Sequence, residues 1–161
     1  MAKNKTIDWE EEIKKTTSQF LEKLRIVASI SIIREKAEGD SKEDVYKVNI
    51  ETEETGLLIG RHGETLNSLQ LLLGIIIYQK TKQWARVVLD IGNYRKMREE
   101  GIKEMVTRIT AEVEASGNPV TLPYLTPLER RIVHMTLSDN PKITSESQGE
   151  GKERRVIIRL R

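Results

Sequence analysis

Glu54-Thr55-Gly56-Leu57-Leu58-Ile59-Gly60-Arg61-His62-Gly63-Glu64-Thr65-Leu66 is the stretch on which the reading of this chain turns. Gly60 and Gly63 enclose two basic side chains, with an apolar run before them and a helix-forming run after. Glycine lets the main chain take left-handed turns and approach a ligand closely. A helix opening at Glu64 adds unpaired N–H groups and the positive end of its dipole. Such a loop presses its backbone against a phosphate while cations hold it there. A tight turn closing one helical piece and opening the next explains both glycines equally well. With ten glycines in 161 residues, a G-x-x-G tetrad arises about 0.6 times by chance, so the flanks have to decide.

Before the loop, Asp8 and Glu11 form a capping box for an amphipathic helix over 9–24, with Ile13, Thr17, Phe20, Leu21 and Leu24 at helical spacing. Ile26, Ala28, Ile30 and Ile32 alternate with Ser29 and Ser31, and Tyr46, Val48 and Ile50 alternate with Lys47 and Asn49. These are two antiparallel strands, joined by a turn at Glu38-Gly39-Asp40-Ser41-Lys42. Residues 55–59 read as a short helix stopped by Gly60. Residues 64–81 form a longer helix, apolar nearly all round and therefore expected to be buried against the sheet. Residues 86–91 make a third strand. The order is α-β-β-α-α-β, an α+β arrangement in which the glycine loop joins two helices.

Beyond Gly92-Asn93, residues 94–116 read as a charged helix with Met97, Ile102, Met105, Val106, Ile109 and Val113 as its apolar stripe, stopped by Gly117 and Pro119. A short extended piece at 120–123 precedes Thr126-Pro127-Leu128-Glu129, a capping box with proline at the first helical position. That helix runs to about Ser138, and residues 142–147 and 154–160 form a closing hairpin. The expected divisions are a disordered 1–7, a first domain over 8–92, a connecting helix over 93–117 and a second domain over 118–161.

Composition narrows the function. There are no cysteines, and the two histidines, His62 and His134, are too far apart in sequence for a zinc-binding H-x-x-x-H pattern. Cysteine and zinc enzymes are thereby excluded, and no cofactor or metal is expected. The N-terminus has no apolar segment of the secretory type. The longest apolar run, 69–78, is broken by Gln70 and falls short of the ~20 residues that span a bilayer. A cytoplasmic protein without membrane insertion is expected. Net charge is only +2, yet residues 1–55 carry 10 basic and 13 acidic side chains against 17 and 12 in residues 56–161. The basic excess lies with the glycine loop, as a polyanion partner requires.

A second basic constellation follows. Arg130 and His134 are four apart on one helix face, with Arg131 beside them. The last strand carries Arg155, Arg159 and Arg161 opposite Val156, Ile158 and Leu160. A row of guanidiniums near that helix face would make a phosphate-sized patch, since arginine forks match phosphate oxygens and stay charged. A solvated face, with Glu129 and Asp139 as partners, is the alternative.

Four segments in order, 56–66, 86–90, 129–134 and 150–158, resemble the bacterial Jag (KhpB) family, which joins a type II KH domain to an R-x-x-x-H domain. The resemblance covers nearly the whole chain from about residue 8. It implies single-stranded RNA binding, with single-stranded DNA as a further ligand, and a role as RNA chaperone or post-transcriptional regulator linked to cell shape and envelope growth. A small KH-only protein is the implied partner. Carried onto this sequence, Gly60, Arg61, His62 and Gly63 contact the RNA backbone, and Arg130 and His134 contact phosphate. Two departures are expected: no additional N-terminal domain, and His62 where a second arginine or lysine is frequent. A histidine there predicts stronger binding at pH 6 than at pH 8.

In the expected mechanism about four nucleotides lie with the loop on their backbone side and Leu58 and Ile59 contributing to the groove floor. With aromatic content at 4%, base stacking is expected to be minor, sequence preference weak and salt dependence steep. A metal-dependent nuclease using Asp90 or Asp139 lacks a second carboxylate spaced to share the cation. An adaptor dimerising through the first sheet, with Val27 and Ile33 exposed, is the other alternative.

Overall fold

The computed structural model describes residues 7–37 and 43–161. The chain divides into two compact units, one ending at Tyr94 and the other beginning at Arg95. The expected turn at 38–42 and most of the expected disordered N-terminus lie outside the described residues.

The first unit opens with α1 (Trp9–Lys23), whose N-cap Asp8 accepts a hydrogen bond from the Glu11 amide at 3.2 Å. The helix ends in a reverse turn in which Arg25 takes φ +59° and the Ile26 amide returns to the Leu21 carbonyl at 3.0 Å. This is the left-handed cap that glycine usually supplies. It delays the strand: β1 runs Ser29–Glu35 rather than starting near Ile26. With β2 (Val45–Glu51) it forms an antiparallel pair, and β3 (Arg86–Ile91) adds in parallel on the other side of β2, giving the order β1-β2-β3. Between β2 and β3 the chain forms α2 (Thr55–Ile59), a 3-10 turn at Arg61–Gly63 and α3 (Glu64–Thr81). The observed order in this unit is therefore α-β-β-α-α-β.

Ile13 and Leu21 of α1, Tyr46, Val48 and Ile50 of β2, and Leu89 and Ile91 of β3 close one core with Leu66, Leu69, Leu73 and Ile77 of α3. Those four α3 positions make one stripe. The helix is buried against the sheet as expected, and its opposite side, where Leu71, Leu72 and Ile75 are 66%, 47% and 39% exposed, is left uncovered. A helix lying on one sheet face has only one covered side, and composition does not say which residues are on it. Gln70, the polar break in the apolar run, accepts the Leu89 amide at 3.0 Å and so blunts the edge strand β3.

The second unit contains most of α4 (Tyr94–Ser116), then β4 (Val120–Thr121), α5 (Pro127–Leu137), β5 (Ile143–Gln148) and β6 (Arg155–Leu160). Ile102, Val106, Ile109 and Val113 of α4 belong to its core, together with Leu122, Leu125, Val133, Leu137, Ile143, Val156 and Ile158. Met97, expected in the stripe, is 58% exposed and stands outside the core. The sheet is antiparallel with order β4-β6-β5, and α5 packs on β5.

The start of α5 is fixed as the sequence requires. The Thr126 hydroxyl accepts the Glu129 amide, and Glu129 accepts the Thr126 amide at 2.7 Å. Glu129 is 5% exposed, and its other oxygen is 2.6 Å from the Arg98 guanidinium. A buried carboxylate needs such a partner, so Glu129 is committed to α4 and is no counter-ion for Arg130.

Candidate nucleic-acid interface

In the first unit the loop between α2 and α3 is built from positive backbone angles. Gly60 has φ +69° and ψ −170°, His62 φ +54° and Gly63 φ +77°. The Gly60 pair of angles is one that side chains essentially never adopt. A methyl on Gly60 would also overlap the Thr65 hydroxyl and come within 2.7 Å of the Thr65 Cβ, while one on Gly63 would meet the Tyr94 ring edge at 2.9 Å. Gly60 is therefore required by the space around it as well as by its angles, and Gly63 chiefly by its angles. Histidine tolerates its left-handed angles better than most residues.

Gly63 is the N-cap of α3 and, having no side chain, makes no cap hydrogen bond there, while the Glu64 amide donates to the Arg61 carbonyl. Arg61 is exposed beside it, and His62 is half-buried. Gly60, Arg61, His62 and Gly63 thus form one surface loop of cations and glycines at a helix opening, which is favourable for a phosphate. Leu58 corrects the expected groove floor: at 2% exposure it belongs to the core and offers nothing to a ligand. Ile59 is partly buried against that core, and Leu57 is the exposed member of the three, at 65%.

In the second unit, Arg130, Arg131 and His134 of α5 line an open groove of about 850 Å³ together with Ser145 and Ser147 of β5 and with Arg154. The His134 Nδ1 lies 2.7 Å from the Ser145 hydroxyl and Nε2 lies 2.9 Å from the Ser147 hydroxyl. Burial lowers the His134 pKa below the usual histidine value, and the Arg130 and Arg154 guanidiniums lower it further. The ring is neutral at pH 7. One ring nitrogen accepts from a serine and the other donates to the second serine, whose own hydrogen stays free for another acceptor. His134 therefore holds two hydroxyls in place, with its ring nitrogens already engaged.

The structure divides the expected arginines. Arg130 and Arg131 lie in the groove, and Arg130 donates to the Leu125 carbonyl at 2.9 Å. Arg155 and Arg159 do not. Ser145 and Ser147 of β5 pair with Ile158 and Val156 of β6, whereas Thr144 and Gln148 pair with Arg159 and Arg155. Alternation along a strand therefore puts both arginines on the sheet face turned away from α5. Arg155 stands 5.6 Å from the Tyr124 ring centroid and donates to the Lys152 and Arg154 carbonyls. Arg159 approaches Glu146 at 3.5 Å. Arg154, one residue before the strand, has the parity of Val156 and reaches the groove. Among the described residues, Arg130, Arg131 and Arg154 have no carboxylate partner, and the rim carboxylate of Glu146 is held by Arg159.

No group of three or more His, Cys, Asp or Glu side chains is placed to hold a metal among the described residues. Asp90 accepts the Ile91 amide at 2.9 Å, and Asp139 accepts the Ser138 hydroxyl at 3.3 Å. No helix among the described residues is long and apolar enough to cross a membrane.

A family model described as KhpA/KhpB, KH domain matches residues 14–91, and the model of the R-x-x-x-H domain matches residues 100–160. The chain belongs to the KhpB family. It is 32% identical over 143 residues to the RNA-binding protein KhpB of Clostridium symbiosum, covering 89% of this chain and 62% of that protein. The RNA-binding protein KhpB of Lactiplantibacillus plantarum is 34% identical over 71% of this chain and 35% of its own length, and that of Bacillus subtilis 33% identical over 74% and 58%. The chain thus spans between 35% and 62% of these relatives. In this KhpB-family chain the glycine loop falls within the KH match, and the Arg130–His134 groove within the R-x-x-x-H match.

Proposed function

We propose that this chain is a non-catalytic single-stranded RNA-binding protein whose KH loop and R-x-x-x-H groove each contact the phosphate backbone. The observation that carries the reading is the Gly60–Gly63 loop, where two glycines at positive φ and the exposed Arg61 stand at the start of α3. Gly60, Arg61, His62 and Gly63 take the backbone of about four nucleotides. Arg130, Arg131 and Arg154 take further phosphates, and His134 acts through the serines it holds. Domain limits of 8–92 and 118–161 with a helix between them, a cytoplasmic location and a role as RNA chaperone or post-transcriptional regulator in cell shape and envelope growth complete the proposal. That role is supported by the family resemblance alone.

The test is fluorescence anisotropy with a ~12-nucleotide single-stranded RNA across a salt series. Wild type binds and weakens with salt, and both Arg61→Asp/His62→Asp and Arg130→Ala/Arg154→Ala lose affinity. No binding at low salt refutes the reading. Cleavage of the labelled RNA on adding magnesium would restore the nuclease alternative.

A protein partner is favoured by a separate observation. Val27 and Ile33 are 91% and 63% exposed, and the outer side of α3 presents Leu71, Leu72 and Ile75. A small KH-only protein, or a second copy, would cover one of these two faces. Light scattering at increasing concentration, with and without that protein, measures it. A monomer under all conditions removes the idea.

A further inference from the structure

The chain has seven aromatic residues, and four of them gather at the end of the first unit where α3 runs into β3. Tyr78 and Trp84 stack with ring centroids 4.6 Å apart and planes 18° apart, and Trp9 meets Tyr46 at 6.4 Å. Trp9, Tyr46 and Trp84 border a cavity of about 310 Å³ with Arg34, Asp44 and Arg86, and Glu43 stands at its rim. Trp84 is 64% exposed. Tyr78 covers one face of the indole, so the exposed area is the other face. Fixing the turn between α3 and β3 needs only the covered face.

Charge around the open face is uneven. Asp44 is taken up by Arg34, whose Nε is 2.7 Å away, and by the Ala37 amide at 2.9 Å. Arg86 is exposed and has no carboxylate partner among the described residues. An open indole face beside an uncommitted guanidinium matches one nucleotide, with the base on the ring and the phosphate on the fork. We propose that Trp84 is a second RNA contact in this unit, a platform for one unpaired nucleobase, with Arg86 on the adjoining phosphate. The proposal rests on the RNA-binding reading and extends it along the KH unit. The 18 residues of α3 separate this platform from the glycine loop by about 27 Å. At ~3.4 Å per stacked nucleotide that distance takes about eight nucleotides, beyond the four that the loop holds.

Trp9→Phe keeps a ring in the core and leaves Trp84 as the single tryptophan. Its emission is followed while labelled U4 and U12 RNAs are titrated and their anisotropy is recorded in parallel. The expected result is quenching by U12 and none by U4, with Trp84→Ala weakening U12 about fivefold or more, the low end of one lost base stack. The quenching arm reads the native side chain and does not depend on Trp84→Ala folding. Anisotropy showing U12 bound while Trp84 emission stays unchanged overturns the platform and leaves the RNA reading standing. Quenching by an abasic 12-mer equal to that by U12 also overturns it, because the base is then not the group in contact. Absence of U12 binding by anisotropy overturns both.

Discussion

Replacing Gly60 by alanine separates a loop that is held in shape from one that is merely permitted there. Two contributions add at this position. The φ +69°, ψ −170° backbone costs a non-glycine residue about 1–3 kcal/mol. The new methyl lies 2.7 Å from the Thr65 Cβ and 3.1 Å from the Thr65 amide nitrogen, in the first turn of α3. A rotamer change moves the threonine hydroxyl but not its Cβ or amide, so loop and helix must part, an overpacking strain of about 1–3 kcal/mol. The total is about 4 kcal/mol, the middle of a range of about 2–6. Gly63→Ala should cost less, about 1–2 kcal/mol for its left-handed angles, because the Tyr94 ring edge it meets is the far end of a side chain. Gly56→Ala has nothing within 4 Å and sits inside α2, so it should stabilise by about 0.5–1 kcal/mol.

Urea unfolding read by tryptophan fluorescence reports this unit alone, because Trp9 and Trp84 are the chain's two tryptophans and both precede Tyr94. With slopes of about 1–3 kcal/mol per molar urea, Gly60→Ala should lower the midpoint by about 1–4 M and Gly56→Ala should raise it. Equal midpoints for Gly60→Ala and wild type, or a larger loss at Gly63 than at Gly60, would refute the reasoning. The loop would then not be held at the Gly60 angles in solution.

Two further outcomes are expected. Arg154→Ala should weaken RNA binding and lower the salt slope by about one, whereas Arg155→Ala, which loses its Tyr124 contact on the far face, should leave the slope unchanged; parallel salt titrations compare them. Because the folded state lowers the His134 pKa, the unfolded chain binds more protons below pH ~6.5, so that increment of stability is present above the usual histidine value and is lost as pH falls beneath it. Thermal melts followed by amide signals of β5 and β6 should show this between pH 7.5 and 5.5, flattened in His134→Gln, with Arg130, Arg154, Ser145 and Ser147 the groups facing the ring.

Elements defined by local chemistry were legible. The Asp8 and Thr126 caps, the stop at Gly117 and the helix break at Gly60 depend on neighbouring residues, and each stands where the sequence puts it. What depended on tertiary cover was not legible. Residues 64–81 are apolar enough to be enclosed, yet the sheet covers only the Leu66-Leu69-Leu73-Ile77 stripe. The aromatic content pointed to minor base stacking, and a percentage does not record that Trp9, Tyr46, Tyr78 and Trp84 come together from two helices, a strand and a turn. The delayed start of β1 hid behind Arg25, whose left-handed angle has no side-chain signature.

The groove arginine was missed for a different reason, since strand parity was available from the start. Val156 and Ile158 face the core, and α5 packs on that same face through Val133 and Leu137. Whatever alternates with Val156 and Ile158 must face away from α5, which removes Arg155 and Arg159 from the groove and selects Arg154. A one-residue shift therefore separates a guanidinium that reaches His134's neighbourhood from one that stacks on Tyr124. The same parity gives the outward pair a purpose. With Glu146 held by Arg159 on the outer face, the carboxylate nearest the groove is partly neutralised, and Arg130, Arg131 and Arg154 present their charge to an incoming anion. Arg159→Ala should then weaken RNA binding without any contact between residue 159 and the ligand, and the loss should shrink at high salt as the freed Glu146 charge is screened.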